Sequence, residues 1–249
     1  MTPTAEILAD KAALIQRANE LTVSTLQGLI KKQGRASIVL SGGSTPKPLY
    51  ESLVDADIPW EKLFVFWGDE RYVPHTDEKS NFRMASEAWL NHVPIPEENI
   101  FPVPTSAGDP AADAATYEET IKAFFQMNAE GVPKMDYALQ GMGDDGHTAS
   151  LFPNTEALNV RDRLVTVGNH DGEPRITFTV PIINHAQRIV FLVSGANKQE
   201  AISQVFAEDA DNFTYPSRFI QLAGPHWLLD EAAGKGLPDS FTRVTRPAS

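Results

Sequence analysis

The chain has 249 residues, 42% of them hydrophobic, no cysteine, and a formal net charge of −12. That length suits one large α/β domain with a sizeable core. The missing cysteines exclude disulfides, thiolate metal ligands and a cysteine nucleophile. The acidic balance argues against a nucleic-acid partner, because phosphate backbones require a basic stripe. No apolar run approaches the ~18 residues of a membrane span. The start, Met1-Thr2-Pro3-Thr4-Ala5-Glu6, lacks a basic patch ahead of an apolar stretch, so no signal peptide is expected. These features predict a cytoplasmic protein with no membrane partner.

Within residues 5–33, Leu8, Ala12, Ile15, Thr22, Leu26 and Leu29 fall at helical spacing. One long amphipathic helix ended by Gly34 is predicted, its stripe serving packing. Ala36 to Leu40 reads as a strand. Ser41-Gly42-Gly43-Ser44-Thr45-Pro46 follows, with Ser44 or Thr45 suited to cap a helix and Pro46 to begin it. Leu63 to Trp67 reads as a second strand, leaving through Gly68-Asp69-Glu70-Arg71-Tyr72-Val73-Pro74. A helix over about Asn81 to Leu90 comes next. The proline-rich stretch 91–110 predicts an irregular connection with a short strand near Ile100-Phe101.

Ala114, Tyr117, Ile121 and Phe124 mark another helix, and residues 136–140 a strand. That strand runs into Gly141-Met142-Gly143-Asp144-Asp145-Gly146-His147-Thr148. Leu164 to Val167 and Ile176 to Val180 alternate like strands, and Arg188 to Val193 is an apolar one. Gly195 opens a helix that carries Lys198. Trp227-Leu228-Leu229 reads as a late strand or packed turn, and the tail from Gly234 as polar and irregular. Strands alternate with helices, and no internal repeat or long linker interrupts them. A single domain over residues 1–249 is expected, with a doubly wound, mostly parallel sheet.

In such sheets ligands bind beyond the carboxyl ends of the strands. Four marked loops leave strands there: Ser41–Thr45, Gly68–Arg71, Gly141–His147 and Gly195–Lys198. The Ser41-Gly42-Gly43-Ser44-Thr45 loop offers backbone N–H groups and hydroxyls, which suits a phosphate cradle. An ordinary helix cap after a tight turn fits the same residues. Gly141-x-Gly143-x-x-Gly146 matches the dinucleotide fingerprint letter for letter. However, Asp144 and Asp145 stand where a pyrophosphate would approach. His147 can exchange a proton near neutral pH, and Asp145, two residues earlier, can orient it. Asp69, Glu70, Asp144, Asp145 and His147 match no standard metal-ligand spacing, so no metal is expected. Arg71 beside two carboxylates suits either an ion pair or substrate contact. Lys198 in a first helical turn is unfavourable unless an anion binds there.

With these residues in view, the chain resembles the 6-phosphogluconolactonase family. Ser41 to Pro46 resembles its phosphate loop. Asp69-Glu70-Arg71-Tyr72-Val73-Pro74 with Ser80-Asn81 resembles its second motif, and Gly141 to Pro153 its most distinctive one. Pro174-Arg175-Ile176-Thr177 and Gly195-Ala196-Asn197-Lys198 fit its later phosphate-contact positions. The resemblance implies an α/β/α fold with a mixed sheet, similar to glucosamine-6-phosphate deaminase. It implies hydrolysis of 6-phospho-D-glucono-1,5-lactone to 6-phosphogluconate without an organic cofactor, and a monomer is expected. In that reading Ser41, Gly42, Gly43, Ser44, Thr45, Arg175 and Lys198 hold the phosphate. His147 is the general base, Asp145 orients it, and Arg71 assists the oxyanion. Asp69, Glu70 and Gly143 lie near the substrate. The alternatives are a hexosamine-6-phosphate deaminase or isomerase and a non-catalytic sugar-phosphate sensor. The deaminases resemble this chain in the Asp-Gly-His loop but carry an acidic residue five positions after the histidine. Here that position is Phe152.

Overall fold

The computed structural model describes residues 4–127, 131–238, 241 and 243–245. In chain order the elements are β1 (Thr4–Leu8), α1 (Lys11–Gln33), β2 (Ala36–Leu40), α2 (Lys47–Leu53), β3 (Leu63–Trp67) and β4 (Asp69–Arg71). Next come α3 (Asn81–Ala88), β5 (Ile100–Phe101), α4 (Pro110–Phe124), β6 (Tyr137–Gln140), β7 (Val165–His170) and β8 (Glu173–Phe178). The chain continues through α5 (Val180–His185), β9 (Ile189–Val193), α6 (Gln199–Phe206), β10 (His226–Asp230), α7 (Glu231–Gly234) and β11 (Arg243–Thr245).

The main sheet has the order β11-β1-β10-β9-β6-β2-β3-β5, and its described pairs are all parallel. Helices cover both faces, so its central strands are buried throughout, as β2 and β9 show. The fold is α/β and mostly parallel, as expected. The antiparallel part of the expected mixed sheet is set apart. β4, β8 and β7 form a second, three-stranded antiparallel sheet. Gly68 is where the chain passes from β3 into it. Arg175 therefore reaches the site from this small sheet, with its strand antiparallel to β4.

Two expectations change, and one left open between strand and turn is decided. Residues 5–33 are not one helix, because residues 4–8 form β1, hydrogen-bonded between β10 and β11. The helix begins only after Asp10, whose carboxylate accepts from the Ala13 N–H at 2.8 Å. Gly34 ends it in the left-handed region at φ 84°, as predicted. Trp227 to Leu229 are strand residues in β10, flanked by β1 and β9. The expected irregular tail contains β11, which extends the sheet beyond β1.

The remaining expected strands and helices form within a few residues of their predicted bounds. Most important for the site, β9, β6, β2 and β3 are consecutive in the sheet. Their four exit loops therefore stand side by side along one carboxyl edge.

Candidate active site

The four loops, with Asn81 and Arg175, enclose a cleft of about 410 Å³. Ser41–Thr45, Asp69, Arg71, Gly143, His147, Arg175 and Lys198 all line it. Two of the expected residues do not. Asp145 stands behind His147, and Glu70 lies under the floor.

The Ser41–Thr45 loop is not spent on capping α2. Pro46 occupies the cap position, and no side chain bonds to the helix start. The hydroxyls of Ser44 and Thr45 are left to the cleft, which favours the cradle over the ordinary cap. The backbone of Ser41 is held by Tyr50, whose hydroxyl accepts from the Ser41 N–H and donates to the Ser41 carbonyl. Ser41 Oγ itself is buried and has no hydrogen-bond partner.

Glu70 is fully buried and accepts from the backbone N–H groups of Arg71, Asn81 and Phe82 and from Ser80 Oγ. Burial pushes its pKa up, although these donors pull the other way. The residue sits in β4 and its carboxylate is turned to the start of α3 rather than to the cleft, unlike the expectation that it lies beside the substrate. The four donors explain why: a carboxylate so saturated has no lone pair left for a ligand.

Arg71 makes no ion pair with its neighbouring carboxylates. Its Nη1 donates to Lys79 O and, at 2.6 Å, to Asn81 Oδ1. Asn81 also donates from Nδ2 to the Asp69 carbonyl. The same amide lies against the phosphate-type loop: a Cβ on Gly42 would sit 1.8 Å from Asn81 Oδ1. Gly42 is needed for that approach. Asn81 thus joins two of the cleft's loops, a function its sequence position at a helix start did not disclose.

Arg175 pairs in register with Arg71 across β4 and β8. Its Nε is buried without a partner. Burial, and secondly the Arg71 charge, push its pKa down. Two guanidinium groups held together in a cleft, one carrying an orphaned donor, form a site that favours an anion.

On the opposite wall, Asp145 Oδ1 accepts from the His147 backbone N–H at 3.0 Å and lies 2.6 Å from Nδ1. Burial raises the Asp145 pKa, but the bonds from His147 outweigh it and hold the carboxyl below its usual value. With Nδ1–H committed to a carboxylate, Nε2 is the nitrogen available as a base. Gly143 makes room for this pair, since a Cβ there would lie 2.2 Å from Nδ1 and 2.5 Å from Asp145 Oδ1. Thr148 bonds to Gln140 Oε1 and to the Gly141 carbonyl, closing the loop on its own strand. Asp69 lines the cleft and accepts from Ser150 Oγ at 2.6 Å.

Lys198 ends a 3-10 turn directly before α6. Its loop is held by Asp230, which accepts from Gly195 N, Ser194 Oγ and Ala233 N. Asp230 is another supporting residue the sequence did not single out. Its signal is an acid at the end of a strand that precedes a helix. Among the described residues, no three His, Asp or Glu side chains converge as a metal site.

A family model described as glucosamine-6-phosphate isomerases/6-phosphogluconolactonase matches residues 9–228. The chain belongs to this family. It is 56% identical over 238 residues to the 6-phosphogluconolactonase of a Nostoc species, covering 95% of this chain and 99% of that one. It is 54% identical to that of a Synechocystis species over the same length. Among solved structures, the 6-phosphogluconolactonase from Trypanosoma cruzi superposes with a TM-score of 0.84 at 29% identity, covering 94% and 97% of the two chains.

Proposed function

We propose that this chain hydrolyses 6-phospho-D-glucono-1,5-lactone to 6-phosphogluconate, the second step of the oxidative pentose phosphate pathway. The observation that carries the reading is the division of one cleft into two chemistries. One wall holds an orphaned hydroxyl at Ser41, an orphaned guanidinium N–H at Arg175, and Lys198. The other holds an imidazole oriented by a carboxylate. A ligand with a phosphate at one end and an electrophilic carbonyl at the other uses both walls. The near-complete overlap with enzymes named 6-phosphogluconolactonase supports the same substrate.

In this reading Ser41–Thr45, Arg175 and Lys198 bind the phosphate and fix the lactone against His147. His147 Nε2 takes a proton from water as the water oxygen attacks the carbonyl carbon. The tetrahedral oxyanion is met by Arg71 and by backbone N–H groups of the glycine loops. When the intermediate collapses, the ring C–O bond breaks, and imidazolium His147 returns the proton to the ring oxygen. Asp145 keeps the tautomer and stabilises the cation between the two transfers. No cofactor takes part. Phe152 occupies the position where the deaminases carry an acid, which disfavours assisted ring opening of an amino sugar.

Residues 1–249 are read as one domain that acts as a cytoplasmic monomer without nucleic-acid or membrane partners. The net charge of −12 argues against a nucleic-acid partner, and no described helix is long and apolar enough to cross a membrane. The division of the cleft is tested by calorimetry with 6-phosphogluconate. The His147→Ala variant is expected to bind it nearly as the parent does, whereas Arg175→Ala and Lys198→Ala bind it far more weakly. Equal affinity in all four proteins would overturn the assignment of the phosphate wall.

A further inference from the structure

The ring of Phe152 packs against one side chain from each wall, His147 and Arg175. It is 4% exposed, and its centroid lies 4.5 Å from that of His147, at an interplanar angle of 47°. The Arg175 guanidinium carbon lies 5.4 Å from the same ring. A second imidazole, His170, packs 4.6 Å away. One aromatic side chain thus touches both the proposed base and the proposed phosphate-binding arginine.

The partners need such support. Arg175 has no hydrogen-bond partner on Nε and is repelled by Arg71, its register neighbour. His147 is tethered at Nδ1 alone, and one tether leaves an imidazole free to tilt about it. An aromatic face attracts both a guanidinium and an imidazolium, and a flat ring restricts the planes of both. The Phe152 backbone is fixed independently of its ring. Its carbonyl accepts from Thr155 Oγ1 at 2.8 Å, and the preceding Leu151 forms a β-bridge with Thr148.

We infer that Phe152 is a positioning residue that couples His147 to Arg175, setting the spacing between the base and the bound phosphate. The inference rests on the functional reading above. It explains why a buried aromatic ring is packed behind a polar cleft, beside three groups that each carry or can take a positive charge. Leucine would fill much of the volume but offer neither a π face nor a plane.

The test is steady-state hydrolysis of freshly prepared 6-phosphogluconolactone, with 6-phosphogluconate affinity measured alongside, for the parent, Phe152→Leu and Phe152→Tyr. Phe152→Met serves if the leucine variant does not fold. The expected result for Phe152→Leu is a kcat about tenfold lower together with a KM and a product Kd about fivefold higher, since one change loosens both walls. Phe152→Tyr keeps the ring and is expected to restore both. A ring that only fills space would reduce the active fraction, and hence kcat, while leaving KM and Kd unchanged. That outcome overturns the inference, as does a rise in KM with kcat intact. A parent that fails to accelerate lactone loss would refute the functional reading itself, a result distinct from either.

Discussion

The Tyr50 hydroxyl bonds to both backbone groups of Ser41, accepting from its N–H at 3.0 Å and donating to its carbonyl at 2.7 Å. Ser41 is the first residue beyond β2, so one phenol fixes the point where the chain leaves the sheet for the cleft. Tyr117 does the same at the end of β3, bonding to both backbone groups of Trp67. Burial pushes both phenols far above their ordinary pKa, which keeps them protonated donors. Tyr50→Phe leaves two buried backbone groups unpaired and is expected to cost about 2 kcal/mol of stability. Because Ser41 belongs to the proposed phosphate wall, KM should rise several-fold while kcat changes little. Denaturant melts and steady-state kinetics check both parts.

Gly143 packs directly against the His147–Asp145 pair. Its substitution by alanine drives a methyl group into His147 Nδ1 and Asp145 Oδ1. Gly143→Ala is expected to lower kcat at least tenfold through loss of the oriented tautomer. The far-ultraviolet circular dichroism should stay that of the parent, since the clash is with side chains. A variant with parental kcat would show that the pair is not needed in this geometry.

The depressed Asp145 pKa gives a pH dependence of stability with a definite sign. The folded carboxyl ionises below its unfolded value of ~3.9, so its stabilising contribution is full above that value. It is lost as the pH falls through the lower folded pKa. Asp145→Asn lacks this contribution at every pH. The difference in melting temperature between parent and Asp145→Asn is therefore expected to shrink as the pH falls below about 4. The group is 43% exposed, so the difference is small. A difference that widened on acidification would contradict the assignment.

Glu70 separates support from contact. Glu70→Gln turns one of the two carboxylate oxygens, each of which accepts from two groups, into an amide donor facing donors, and is expected to cost about 1–3 kcal/mol. Affinity for 6-phosphogluconate should fall only slightly, through the loosening of Arg71. A collapse of affinity with unchanged stability would return Glu70 to the substrate's side.

The sequence disclosed the parts of the site that local chemistry marks. Glycine-rich turns, a histidine two residues after an aspartate, and cations at strand ends are visible without coordinates. Their convergence followed from parallel topology, and the sheet order bears it out. What remained hidden depends on distant pairing. β1 looked like the first turn of α1 because its five residues show no strand alternation and Leu8 falls in step with the helical stripe, and only β10 and β11 make them a strand. Asp69–Arg71 read as a loop because three residues show no period, and their strand character comes from β8. The supports Asn81, Tyr50 and Asp230 lie 9 to 36 residues from the groups they hold, a separation that no local pattern encodes. Phe152 was visible as a missing acid, whereas its contacts with His147 and Arg175 were not.

The most direct measurement follows the disappearance of freshly made 6-phosphogluconolactone against its spontaneous hydrolysis, with and without the purified protein and its His147→Ala variant. The expected result is strong acceleration by the parent and a loss of about 10²–10⁴-fold in the variant, the usual contribution of a general base. Lactone decay at the spontaneous rate in the presence of parent protein, or full acceleration by His147→Ala, would contradict it.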